Sequence, residues 1–124
     1  NWCILPTKKI IESIKKKKDI PIMGFPRNAN LECYKKYSHI DKLDCITLDY
    51  NFPLDKINEL NSEIVFQGNL DPKLLLKDSL KLGQKIEEIL FAFRERPHIF
   101  NLGHGVLPET SIEKVEEMLA QVRS

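Results

Sequence analysis

An excess of charge of either sign is missing from this sequence. Nineteen Lys and Arg stand against 18 Asp and Glu, a formal net charge of +1. That balance supplies no concentrated basic field, which attraction to nucleic acid or to an anionic membrane surface requires. The one basic run, Lys15 to Lys18, reads as the solvated end of a helix, where cations complement the helix dipole. Long apolar runs are missing too: none approaches the ~20 residues needed to cross a bilayer, and no secretory signal pattern stands out. No nucleic-acid or membrane partner is therefore expected. Cysteine is scarce, with only Cys3, Cys33 and Cys45. An odd number without CxxC spacing argues against a disulfide framework or a zinc knuckle. Reduced, half-buried thiols in a cytoplasmic protein without a metal site are the expectation.

What is present is a chain of 124 residues, 42% hydrophobic, ordinary for one globular domain. It opens on Asn1 rather than methionine, and "NWCILPTKKIIESI" reads as a helix already under way, so further chain upstream is expected. Ile4, Ile10, Ile11 and Ile14 recur at helical spacing beside lysines. "IPIMGF" (residues 20–25) is a short apolar run ending in a loop, the pattern of a buried strand. A second helix is predicted from about Leu31 to Tyr37, and a second strand in "DCITLDY" (44–50). Pro53 suits the first turn of a short helix because its missing N–H costs nothing there. "EIVFQGNLDP" supplies a third strand, from Ile64 to about Gln67, and a glycine turn. Ser79 to Phe93 carries Leu80, Leu82, Ile86, Ile89, Leu90 and Phe93 on a broad helical face. "HIFNLGHG" is a fourth strand and its turn, and Thr110 with Glu113 reads as a capping box opening a last helix from Ser111 to about Val122.

Short continuous apolar strands alternating with amphipathic helices mean α/β architecture with a parallel sheet, because each parallel connection needs a crossover. Periodicity leaves two forms open: a small doubly wound sheet, or part of a (β/α)₈ barrel. In both, ligands bind at the C-terminal ends of the strands. The polar and glycine-rich motifs "FPRNAN", "LDYNFP", "QGNLDP" and "NLGHGV" all fall at those ends.

Together with "ITLDY" (46–50), "FQGNLDP" (66–72) and "FNLGHGVLPET" (100–110), the segment "IPIMGFPRNA" (20–29) makes the chain resemble the uroporphyrinogen decarboxylase family along essentially its whole length. The resemblance is to the C-terminal portion of that family. It implies that residues 1–124 form about four strands and flanking helices of a single (β/α)₈ TIM barrel domain, with the N-terminal part of the barrel absent. It further implies a homodimer that removes carbon dioxide from the acetate side chains of uroporphyrinogen III, giving coproporphyrinogen III without a metal or organic cofactor, in haem and porphyrin biosynthesis. A carboxylate leaves readily only when an electron sink accepts its electrons. Protonating the adjacent pyrrole carbon creates that sink, so the protein must hold a polyanion and deliver a proton.

Residue by residue, His104 of "NLGHG" matches the family histidine expected to bind a substrate carboxylate. Gly103 and Gly105 are expected to let the backbone adopt unusual φ and approach a large flat ligand. Arg27 and Asn69 are further candidates to line the site, Arg27 as a cation for a carboxylate-rich substrate. No residue of this chain is assigned the family's catalytic aspartate, tyrosine, arginines or serine/threonine; those roles belong to segments expected before Asn1. Arg27, Asp49, Tyr50 and Asp71 do not take them over. Asp49 and Asp71 are expected to cap or turn their own backbone, His39 and His98 to be structural, and Gln67 and Asn69 either to line the mouth or to tie loops. Alone, the fragment is expected to be inactive, since a barrel closes only when its first and last strands pair.

Three other readings are weighed. A corrinoid-dependent methyltransferase of related fold needs zinc and an H-x-C motif, which the sequence lacks. A phosphate-binding barrel enzyme would cradle phosphate on the backbone N–H groups of Gly103 and Gly105. A small flavodoxin-like interaction module would have a finished sheet with covered borders.

Overall fold

The structure is a computed structural model that describes residues 2–76 and 78–124. Four α-helices alternate with four strands: α1 (Ile4–Lys15), β1 (Met23–Gly24), α2 (Leu31–Tyr37), β2 (Cys45–Thr47), β3 (Val65–Gln67), α3 (Ser79–Ala92), β4 (His98–Ile99) and α4 (Ile112–Arg123), with 3-10 turns at Leu54–Glu59 and Pro72–Leu76. Every predicted element forms, but the strands are shorter than the apolar runs that announced them. The ends of those runs leave the ladder to enter loops.

Helix starts follow local chemistry. Asn30 stays extended and its side chain accepts from the Cys33 N–H at 2.9 Å; Asp78 does the same for Leu80 at 2.8 Å. The expected capping box at Thr110 and Glu113 is displaced by one residue. Ser111, at φ −78° and ψ 155°, is the residue that stays extended, and its hydroxyl accepts from Lys114 N–H. Glu113 then lies one position too early to reach back, and the Thr110 hydroxyl is buried without a partner. The apolar faces are also narrower than their sequence suggested. In α1 only Ile11 is buried while Ile10 is exposed, and in α3 Leu82, Ile86 and Ile89 are buried while Leu80 is exposed.

All strand pairs are parallel and the order is β1-β2-β3-β4, with Met23 opposite Cys45, Ile46 opposite Phe66 and Phe66 opposite His98. Strand alternation divides the side chains between two faces. Ile46, Leu48 and Phe66 are fully buried and join one core with residues from all four helices, among them Ile11, Tyr34, Ile86 and Met118. On the opposite face, Met23 and Ile99 are 47% and 44% exposed, and Gln67 donates to the Thr47 hydroxyl across the β2–β3 step at 3.0 Å.

These two facts separate the architectures that periodicity left open. A doubly wound sheet reverses its strand order at a switch point and covers both faces. Here the strands follow one another without reversal, and the helices share a single core on one face. That is the arrangement of an arc of a (β/α)₈ barrel, whose second face is the barrel interior. No helix among the described residues is long and apolar enough to cross a membrane.

Candidate active-site rim

Four loops follow the four strands, and a chain of hydrogen bonds joins them. Asp49, 2% exposed, is the hub. Its carboxylate accepts from the Asn28 N–H in the β1 loop at 3.1 Å and from the Asn51 N–H in its own loop at 3.3 Å. Asn28 sits at φ 56°, the left-handed region that asparagine tolerates. The Asp49 N–H donates to the Tyr34 hydroxyl of α2 at 3.0 Å, and burial pushes the Tyr34 phenol up to about 12.

The β3 loop is tied in from the other side. The Asn69 amide nitrogen donates to the carbonyls of Asp49 at 3.0 Å and Phe52 at 3.2 Å. Asn69 is 2% exposed and its amide oxygen has no partner. Gly68, at φ 120°, is packed against the Leu48 carbonyl, where a Cβ would come within 2.8 Å. Asp71 turns its own loop by accepting from Lys73 N–H at 2.9 Å.

The β4 loop closes the rim. Gly103 N–H donates to the Leu70 carbonyl at 2.8 Å, and Tyr50 N–H donates to the Gly103 carbonyl at 3.3 Å. Contrary to expectation, neither Gly103 nor Gly105 takes a positive φ. Gly103 is required for a different reason: a Cβ there would fall on the Tyr50 backbone. Gly105 faces open space. The phosphate-cradle reading loses its donors, because the Gly103 N–H is committed to Leu70 and the Gly105 N–H to the His104 ring.

His104 is half-buried, and its Nδ1 accepts from Gly105 N–H at 2.8 Å. An imidazole nitrogen that accepts carries no hydrogen, so the neutral ring keeps its hydrogen on Nε2 and presents a donor there. Arg27 is exposed, and its guanidinium has no hydrogen-bond or ion-pair partner among the described residues. The two stand on the loops of the outermost strands, β1 and β4. The rim thus offers two unspent donors held on a tightly bonded loop frame.

The comparisons with known proteins bear on this frame directly. The family model described as Uroporphyrinogen decarboxylase (URO-D) matches residues 1–124. The chain belongs to the uroporphyrinogen decarboxylase family. It is 42% identical to the uroporphyrinogen decarboxylase of Wolbachia sp. subsp. Brugia malayi (strain TRS) over 98% of this chain and 35% of that protein. Against the uroporphyrinogen decarboxylases of Rickettsia bellii (strain RML369-C) and Chelativorans sp. (strain BNC1) it is 44% and 39% identical, covering 98% of this chain and 36% of each relative. The chain thus spans about a third of the length of the relatives it matches, and its α/β fold with four parallel strands is part of the TIM barrel of this decarboxylase family.

Of the residues singled out beforehand, the structure brings Asp49, Asn69 and Gly103 into one bonded rim and leaves Arg27 and His104 at its two ends. His98 lies elsewhere, stacked on Phe93 with ring centroids 4.0 Å apart and its Nε2 2.5 Å from the Gly68 carbonyl. Burial lowers its pKa, which that hydrogen bond partly offsets. Tyr34 and Asn28 escaped sequence reasoning. A tyrosine on a short helix carries no signal that its hydroxyl will meet a loop N–H from another strand. Among the described residues, no group of three or more His, Cys, Asp or Glu lies close enough to hold a metal ion.

Proposed function

We propose that this chain is the closing arc of a uroporphyrinogen decarboxylase barrel, its C-terminal four βα units, and that its own task is to hold the carboxylates of uroporphyrinogen III. One observation carries the reading: the His104 Nδ1 is occupied by the Gly105 amide, which leaves Nε2–H as a fixed donor at the end of the last strand loop. A carboxylate accepting from that donor and another meeting Arg27 would be held apart, as the arms of a broad polyacid are.

In the reaction a proton adds to a pyrrole carbon beside an acetate arm. The C–C bond to the carboxylate then breaks, its electrons flow into the cationic ring, carbon dioxide leaves, the remaining CH₂ takes a proton to become methyl, and the ring carbon releases the proton it first gained, restoring the neutral pyrrole. The residues of this chain hold the polyanion in place for those steps. The proton donor and the groups that balance charge belong to the rest of the barrel. No cofactor enters this scheme. The whole protein is proposed to be a cytoplasmic homodimer with uroporphyrinogen III as its ligand and neither nucleic acid nor membrane as a partner, a reading supported by the family and the balanced charge.

The test is steady-state decarboxylation by the full-length protein. His104→Ala removes one charge-assisted hydrogen bond, worth about 1.5 to 3 kcal/mol, so kcat/KM should fall roughly tenfold to a hundredfold. Unchanged kinetics would remove the reading. Residues 1–124 expressed alone should show no turnover.

A further inference from the structure

Consecutive residues of one loop hold the loops of both free donors. Asp49 Oδ2 accepts from the Asn28 N–H at 3.1 Å, and that amide belongs to the peptide joining Arg27 to Asn28. Tyr50 N–H donates at 3.3 Å to the carbonyl of Gly103, the residue before His104. Arg27 and His104 follow β1 and β4, which are not neighbours in the sheet. The loop after β2 therefore reaches both, Asp49 toward one and Tyr50 toward the other.

Asp49 is the fixed party in its contact. Its N–H is held by the Tyr34 hydroxyl and its carbonyl by the Asn69 amide, each at 3.0 Å, and the residue is buried. Its second oxygen accepts from the Asn51 N–H at 3.3 Å, so one carboxylate serves two loops, an oxygen for each. The loop after β1 has to come to it. Two turn bonds bracket the arginine there, Arg27 N–H to the Phe25 carbonyl at 2.9 Å and Ala29 N–H to the Pro26 carbonyl at 3.1 Å. Asn28 between them takes φ 56°, a conformation that persists only where surrounding contacts hold it. Its bond to Asp49 is such a contact. The His104 loop has an anchor that does not involve Asp49, the Gly103 N–H on the Leu70 carbonyl at 2.8 Å.

We propose that Asp49 is a positioning residue for substrate binding: it fixes the peptide after Arg27 and so presents the guanidinium, already in place, to a substrate carboxylate. The inference rests on the reading of Arg27 as a carboxylate contact. An arginine binds a carboxylate through a directional fork of donors, and that fork gains most when the backbone carrying it is ordered before the ligand arrives. Without the Asp49 acceptor the loop after β1 is released, and the ordering has to occur on binding. The contribution of Arg27 to binding therefore depends on Asp49, whereas that of His104 does not.

The experiment is a double-mutant cycle on uroporphyrinogen III decarboxylation by the full-length protein. Arg27→Ala and His104→Ala are each made in the parent, in Asp49→Ala and in Asp49→Ser. The serine hydroxyl can still turn its own loop onto the Asn51 N–H but is too short to reach Asn28, so it carries the test where Asp49→Ala does not fold. In the parent, Arg27→Ala should lower kcat/KM about tenfold, the loss of one charge-assisted hydrogen bond. In either Asp49 variant the same change should cost less than about twofold, while His104→Ala keeps its parental cost. A merely structural Asp49 would reduce the amount of active enzyme, which cancels from each ratio and leaves the Arg27 cost at its parental value. That equality overturns the proposal. Arg27→Ala without effect in the parent removes the carboxylate contact itself, and the proposal falls with it.

Discussion

Gly103 lies so close to Tyr50 that a Cβ built on the glycine would stand 2.2 Å from the Tyr50 nitrogen. The neighbour is backbone, which is itself hydrogen-bonded to the Gly103 carbonyl, so it cannot step aside. Gly103→Ala should therefore destabilise the protein by about 1 to 3 kcal/mol, the range of overpacked sites, and lower kcat/KM by displacing His104. Gly105→Ala meets nothing within 4 Å and should stay within about 0.5 kcal/mol of the parent. Denaturant midpoints of the two variants check the contrast.

Tyr34 and Asp49 form the second joint of the rim. Tyr34→Phe leaves a buried Asp49 N–H without its acceptor and should cost about 1 to 3 kcal/mol. Asp49→Ala strips acceptors from both Asn28 and Asn51, and about 2 to 4 kcal/mol is expected on the same basis. Because burial holds the Tyr34 phenol at about 12, its ionisation should be missing from an ultraviolet titration of the folded protein at pH 10.5. It should reappear when the protein is unfolded.

The elements and their order were legible in the sequence because apolar spacing reports which face a segment buries. The helix expected from about Leu31 to Tyr37 forms over those residues, and the structure shows Asn30 capping its start. The choice between barrel arc and doubly wound sheet was not legible, since both repeat the same βα unit and differ only in which strands become neighbours. The cap of α4 shows another limit: Thr110 and Ser111 are equal candidates chemically, and the backbone path alone decides between them. The rim was half legible. Its loops could be placed at one sheet edge, but the Gly103–Tyr50 approach joins loops of strands that are not neighbours in the sheet, and no local pattern encodes it.

His98 gives the fold a pH dependence with a definite sign. Burial against Phe93 holds its pKa below the ordinary value of about 6.5. As the pH falls past that ordinary value, the unfolded chain takes up the proton before the folded protein does, so protons favour unfolding. Stability is full above about pH 6.5, falls below it, and levels only beneath the lowered folded pKa. In His98→Leu this part of the slope should be absent. Urea midpoints at pH 7.5, 6.0 and 5.0 would reveal it, and equal slopes in parent and variant would count against the assignment.

Ile99 distinguishes the closed barrel from the isolated arc. It is 44% exposed on the face opposite the helical core, beside Gln67 in the register. If that face is the barrel interior, the remaining strands cover it in the whole protein. Ile99→Lys should then have opposite effects in two contexts. In residues 1–124 alone the lysine meets water, breaks an exposed apolar face and protects an open sheet edge, so soluble yield should rise. In the full-length protein it places an unpaired ammonium inside a packed barrel, where several kcal/mol of destabilisation are expected. Soluble yield and thermal midpoints in the two backgrounds measure the difference. A full-length protein indifferent to the lysine would mean that this face looks onto solvent, and the strands would then not be an arc of a closed ring.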